Sequence, residues 1–163
     1  MESKIVSLRQ LKPLVKRLQA RGKKIVFTNG TFDLLHAGHV IYLRKAKSLG
    51  DTLIVGVNSD SSVKSYKGPD RPLNPQKDRL RVLAALECVD YAVLFNEPTP
   101  LRLILELQPD FLVKGSDWKK DQIAGAREVE SWGGKVKLIP LVRGRSTTGL
   151  IQKMKDEKQT PPI

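Results

Sequence analysis

Cysteine, histidine and aromatic residues are scarce in this chain, and each shortage excludes something. The one cysteine, Cys88, rules out an internal disulfide and fits a reducing compartment. It lies in the apolar run 82–89 and is expected to be a small buried hydrophobe, not a nucleophile. Two histidines and one cysteine cannot make a four-ligand structural zinc site without carboxylates. Aromatics are only 6% of the residues, and no stretch matches a nucleic-acid-binding motif. There is no apolar run of membrane-spanning length and no secretory signal, so a cytoplasmic protein is expected. Acidic residues are also few. Asp and Glu number 17 against 29 Lys and Arg, a formal net charge of +12 that favours anionic partners.

What is present is ordinary for a globular chain: 163 residues, 40% hydrophobic and 28% charged, enough for one domain with a full core. We expect that domain to occupy residues 1–155, with a leading helix in 1–22 and a disordered tail at 156–163.

Residues 25–39 organise the chain. Ile25, Val26 and Phe27 read as a buried strand, Asn29-Gly30 as a turn, and Val40, Leu43, Ala46 and Leu49 as a helix that stops near Gly50. A strand, a glycine turn and a helix N-terminus in succession make an anion site, because free backbone N–H groups and the positive end of the helix dipole converge there. His36 and His39, spaced i, i+3, lie on one side of that helix start. Two imidazoles beside such a nest suit a polyphosphate. Taken alone, Asn29-Gly30 reads as a hairpin and the histidines as surface residues; the succession of the three signals decides for phosphate.

The rest of the chain alternates helix and strand. Leu8, Leu11, Val15 and Leu18 form the apolar stripe of a helix over 7–21, with Pro13 expected to kink it or delay its start. Strands are expected at 52–57, 91–95, 111–114 and 135–139. Asn74-Pro75 and Thr99-Pro100 read as caps followed by proline at the first helical position. They open helices to about Cys88 and over 101–107. Another helix is expected over 123–132, and a short one after Ser146 or Thr147, a second helix N-terminus able to hold phosphate. Residues 61–74 read as a long polar loop whose Lys64, Lys67 and Arg71 follow the C-terminal end of a strand, where open α/β sheets bind ligands. Arg79 and Arg81 lie on different faces of the next helix, so one of them can face the phosphates. Five strands alternating with helices make a Rossmann-like doubly wound parallel sheet with helices on both faces.

Thr28-Asn29-Gly30-Thr31-Phe32-Asp33 followed by His36-Ala37-Gly38-His39 resembles the HxGH signature of the nucleotidyltransferase superfamily, in its cytidylyltransferase-like branch. Further stretches, Val57-Asn58-Ser59-Asp60, Lys67-Gly68 with Arg71-Pro72, Val113-Lys114-Gly115-Ser116-Asp117 and Ser146-Thr147-Thr148, fall in family order. Together they are most similar to the adenylyltransferase half of bacterial ADP-heptose synthases. A kinase domain precedes that half in many such enzymes; none precedes it here, so a stand-alone adenylyltransferase is expected. Glycerol-3-phosphate cytidylyltransferases carry an arginine five residues before the Ser-Thr-Thr equivalent, where this chain has Leu141, with Arg143 and Arg145 nearer the serine.

The resemblance implies adenylyl transfer from ATP to D-glycero-β-D-manno-heptose 1-phosphate, giving ADP-heptose and pyrophosphate for lipopolysaccharide inner-core synthesis. His36 and His39 would donate to the phosphate oxygens as charge builds, and Lys64, Lys67 or Arg79 would draw in the leaving pyrophosphate or the sugar phosphate. Thr31, Phe32 and Gly38 would sit against the triphosphate. Gly115, Asp117, Gly144, Ser146, Thr147 and Thr148 would cradle the nucleoside. Asp33 and Arg71, with Lys67, would face the substrate, although Asp33 equally reads as a turn cap. Mg²⁺ is expected to arrive with ATP, with no dedicated protein metal site. A homodimer and a separate heptose-7-phosphate kinase are implied as partners; nucleic acid and membrane are not. The alternatives are a cytidylyltransferase acting on glycerol 3-phosphate or a similar phosphorylated alcohol, a flavin-forming adenylyltransferase, and a basic nucleic-acid-binding module on this fold.

Overall fold

The computed structural model describes residues 4–142, 144 and 147–157. In chain order the elements are α1 (Leu8–Ala20), β1 (Ile25–Gly30), α2 (Ala37–Lys47), β2 (Thr52–Asn58), α3 (Asp60–Lys67), α4 (Gln76–Ala85), β3 (Tyr91–Phe95), α5 (Leu101–Leu107), β4 (Phe111–Gly115), α6 (Ala126–Ser131), β5 (Lys135–Ile139) and α7 (Thr147–Glu157). All strands are parallel, in the order β3-β2-β1-β4-β5. The chain therefore winds outward from β1 through β2 to β3, crosses back, and continues on the other side of β1 with β4 and β5. The winding reverses between β1 and β4. At such a point the loops leaving the two strands part in opposite directions and open a crevice at the strands' C-terminal ends.

Period-two alternation in the strands divides the core between two faces. Ile25 and Phe27 of β1 and Ile54 of β2 pack with Leu11 and Val15 of α1, Leu103, Ile104 and Leu107 of α5, and Val129 of α6. Val26, Leu53, Val55 and Val57 pack on the other face with Leu43 and Ala46 of α2 and Leu80 and Leu83 of α4. Burying each Val, Leu, Ile or Phe of this set contributes about 1.5–3 kcal/mol, and a one-residue slip of a strand would turn those side chains to the opposite face. This is the doubly wound α/β architecture expected from the alternation of elements.

Several local expectations need correction. Asn29 and Gly30 do not turn; they are the last residues of β1, paired with Gly56 and Val57 of β2. The chain turns at Phe32 instead, in the left-handed region at φ 48°. Gly30 permits that turn, since a Cβ there would meet the Phe32 ring at 3.0 Å. Residues 60–67, expected as loop, form α3, because Ser59 caps it by accepting from the Ser62 N–H at 3.2 Å and Val63 is fully buried. Asn74 does not cap α4; Pro75 holds the cap position in extended conformation and Asn74 is recruited elsewhere. That helix ends at Ala85, short of Cys88, which is half-buried. α1 starts at Leu8, ahead of Pro13, behind a capping box of Ser7 and Gln10. α6 begins at Ala126, not residue 123, because Gly125 sits at φ 85° before it.

Candidate active site

A cavity of about 420 Å³ opens where the winding reverses. Its wall is built from the end of β1 and the turn after it (Asn29 to Asp33), the start of α2 (His36, Gly38, His39), the end of β4 (Lys114, Gly115) and the approach to α7 (Leu141, Val142, Thr147). Stretches more than a hundred residues apart in sequence meet there because β1 and β4 are neighbours.

The first turn of α2 is left open to an anion. His36 occupies its N-cap in extended conformation with no side-chain cap bond, and no acidic residue lies in that turn. Its N–H groups and dipole end thus face the cavity without a competing carboxylate. The two imidazoles stack with centroids 4.0 Å apart, and the Phe32 ring meets His39 edge-on at 5.5 Å. Burial pushes His39 down to about 4, with the charges of His36 and Lys67 adding to the effect. It is neutral at physiological pH, and its buried Nδ1 has no hydrogen-bond partner among the described residues. An uncharged imidazole that gains charge or a strong acceptor only when phosphate arrives suits an incoming polyphosphate.

Lys67, at the end of α3, reaches the same cavity. Burial lowers its pKa, as does the nearby Arg71. α3 is tied across to β1's exit by a 2.6 Å hydrogen bond between the Tyr66 and Thr31 hydroxyls. Asp33 lines the wall, yet its carboxylate is committed. It accepts from the backbone N–H of Leu73 and Asn74 at 2.9 and 2.8 Å and pairs with Arg71. Asn74 returns a bond from Nδ2 to the Asp33 carbonyl. Burial alone would raise Asp33, but these donors outweigh it and hold the carboxyl below its usual range. Asp33 therefore latches the 68–74 segment against the site, and Arg71 presents its remaining face to the cavity.

Arg79 is placed differently from the sequence expectation. Its side chain is fully buried beneath the site and lines neither this cavity nor the one that adjoins it. It donates to the carbonyls of Thr31, Asn58 and Asn74 and pairs with Asp60, tying the ends of β1 and β2 to α3 and the 68–74 segment. All its donor-bearing nitrogens are thus occupied by the fold, so in this structure it ties the site together from beneath and does not line it. Lys64 is exposed on α3 and also lines neither cavity. Gly115 and Asp117 line the first cavity, and a Cβ at Gly115 would crowd the Asp117 carboxylate and a Leu141 methyl, so both side chains would have to shift to admit one. Thr147 anchors the start of α7 by donating to the Leu34 carbonyl at 3.2 Å. Thr148 follows in its first turn, Gly144 is an exposed turn residue at φ 70°, and Ser146 lies outside the described residues.

Three wall residues had been given no role of their own, although two of them lie at the end of β4 and just after it, in the stretch that the sequence marks as ligand-side. Tyr42, one turn beyond His39, hydrogen-bonds Thr28 at 2.8 Å while Thr28 donates to the Val113 carbonyl, which makes Tyr42 the donor and stitches α2 to β1 and β4. Burial raises its phenol to about 12. Lys114 lies at the end of β4 with its ammonium 5.0 Å above the ring of Trp118, the third of them. The run 113–117 had pointed to this loop, but whether a strand's lysine faces the cavity is set by register, which local sequence does not carry. A second cavity of about 430 Å³ adjoins the first, sharing Asn29, Gly30, Thr31, Lys67, Lys114 and Trp118 with it.

Comparison with known proteins agrees with this geometry. The family model described as Cytidylyltransferase-like matches residues 27–163. The chain is 53% identical over 155 residues to the Bifunctional protein HldE of Magnetococcus marinus, covering 95% of this chain and 32% of that protein. It is 54% identical over 153 residues to the HldE of Geobacter metallireducens, covering 94% and 31%. It thus spans about a third of the length of the curated relatives it matches. The solved lipopolysaccharide core biosynthesis protein of Thermoplasma volcanium superposes with a TM-score of 0.62 at 32% identity, over 76% of this chain and all of that one. A pantoate-beta-alanine ligase of Francisella tularensis, at 19% identity and a TM-score of 0.61, shares the fold. A phosphate-ready helix start at the winding reversal and a family match over most of the chain lead to one assignment: this chain belongs to the cytidylyltransferase-like family of nucleotidyltransferases.

Proposed function

We propose that the chain transfers the adenylyl group of ATP to D-glycero-β-D-manno-heptose 1-phosphate. An oxygen of the sugar phosphate attacks the α-phosphorus, the bond from that phosphorus to the β-bridging oxygen breaks, and pyrophosphate leaves with the electron pair. The observation that carries this reading is the open first turn of α2 with the stacked His36 and His39 over the cavity. Such a site stabilises charge on a triphosphate without covalent chemistry, by positioning and preorganised donors. Lys67 and Arg71 add positive charge on the α3 side, and Gly115, Asp117 and Thr147 border the space left for the nucleoside.

Mg²⁺ enters as part of the ATP substrate. Its remaining ligands would be phosphate and water, the usual set for this ion at a triphosphate. Similarity to proteins called bifunctional, about three times as long, fits one activity in this region and a second one elsewhere. A heptose kinase is the companion the substrate chemistry requires.

The test is pyrophosphate release with Mg²⁺, crossing ATP and CTP with heptose 1-phosphate and glycerol 3-phosphate. Release with ATP and heptose 1-phosphate alone is expected. Release with CTP and glycerol 3-phosphate would replace both substrates while keeping the site.

A further inference from the structure

Lys114 occupies a place no other cation on β4 or β5 shares. It stands at the C-terminal end of β4, beside the end of β1, on the wall common to both cavities. The first cavity carries the histidines and the α2 N-terminus. The second runs the other way, past Asn58, Tyr66, Pro98 to Pro100 and Gln122. A group held at Lys114 is therefore in reach of both.

The ammonium is poorly compensated where it sits. Among the described residues it makes no ion pair; its contacts are a long 3.4 Å hydrogen bond to the Asn29 carbonyl and the face of Trp118. Burial pulls its pKa to about 8, against an upward pull from Asp117. A lysine held here without an ion-pair partner is costly to keep in a fold, and a polyanion at the same spot offsets that cost. Asn29 Oδ1, on the same wall, is also buried without a hydrogen-bond partner among the described residues, so the seam offers an acceptor for a hydroxyl beside a cation for a phosphate.

We propose that Lys114 seats the acceptor's phosphate at the seam of the two cavities, with the nucleotide in the first and the acceptor's carbon skeleton in the second. This rests on the nucleotidyl-transfer reading above. The second cavity then takes a phosphorylated polyhydroxy compound: Tyr66 and Trp118 line it with apolar ring surface, and the Asn29 Oδ1 left without a partner among the described residues can accept from a hydroxyl.

The experiment measures KM for ATP and for heptose 1-phosphate separately in the wild type, Lys114→Met and Lys114→Gln, with thermal melts of all three. Methionine keeps the length and apolar stem while removing the charge, and glutamine serves if methionine fails to fold. The expected result is a rise of about tenfold or more in the acceptor KM with the ATP KM nearly unchanged, the size expected for losing one charged hydrogen bond. An unchanged acceptor KM, or an equal rise in both, would overturn the assignment. A wild type that turns over no acceptor would remove the transfer reading instead. Calorimetric titration of heptose 1-phosphate then decides Lys114 on its own, with weaker binding to Lys114→Met supporting the seat and equal binding refuting it.

Discussion

Replacing Arg79 with methionine should unfold the protein far more readily than it changes the chemistry of the protein that remains folded. Arg79 gives the carbonyls of Thr31, Asn58 and Asn74 charge-assisted hydrogen bonds of 2.6, 2.8 and 3.0 Å, and its ion pair with Asp60 measures 2.8 Å. Methionine fills much of the volume but supplies no donor. At about 1–3 kcal/mol for each buried acceptor left unpaired, and with Asp60 retaining partial access to water, the losses overlap and do not simply add. The comparable case of a broken buried ion pair costs about 3–5 kcal/mol, and we expect a loss in that range. For a chain of this length it corresponds to a drop of about 10 °C in Tm. Urea denaturation followed by tryptophan fluorescence and circular dichroism measures it. In an Arg79→Lys variant the shorter ammonium reaches at most one or two of the carbonyls and should recover only part of the loss. A methionine variant within about 1 kcal/mol of wild type would refute the buried-fastener account and return Arg79 to the phosphate ligands.

Three further expectations follow from the same geometry. A folded His39→Ala variant should lose about 3 kcal/mol of transition-state stabilisation, a hundredfold or more in turnover, and near-normal turnover would remove His39 from the chemistry. Asp33→Asn should leave the core intact but free the 68–74 segment, read as faster hydrogen exchange at the amides of Leu73 and Asn74; unchanged exchange would mean that Asp33 does not hold the latch. Acid should destabilise the fold through both groups. The folded pKa of His39, about 4, lies below its unfolded value, and that of Asp33 is also lowered, so each group contributes stability at neutral pH that is lost as pH falls. The His39 contribution fades between about 6.5 and 4 and that of Asp33 below about 4. Stability measured across this range should fall in His39→Ala less than in wild type above pH 4, and parallel curves would contradict the assignment.

The strands and the strand-glycine-helix centre were legible because they rest on local signals: β-branched runs, three- and four-residue apolar spacing, and the spacing of His36 and His39. What was not legible depended on partners far away in sequence. Asn29-Gly30 carries a turn signal, but pairing with Gly56 and Val57 keeps it in the strand and moves the turn to Phe32. The serines after Asn58 suggested a loop, and only the burial of Val63 reveals that they cap and pack a helix. Arg79 read as a phosphate ligand because an arginine beside an anion site usually is one. That it faces inward follows from three carbonyls, from the turn after β1, from β2 and from the 68–74 segment, which meet only in the folded chain. Asp33 likewise became a latch through residues some forty positions away, and Lys114 joined the site through strand register.

The most direct test of the central claim is ³¹P NMR of the wild-type protein with Mg²⁺, ATP and heptose 1-phosphate, because it reports which phosphorus is attacked. Attack at the α-phosphorus predicts a new pair of coupled diphosphate resonances from the nucleotide sugar, growing in step with pyrophosphate as the ATP signals decline. ADP appearing with a newly phosphorylated sugar or inorganic phosphate would place the attack at the γ-phosphorus and contradict nucleotidyl transfer at this site.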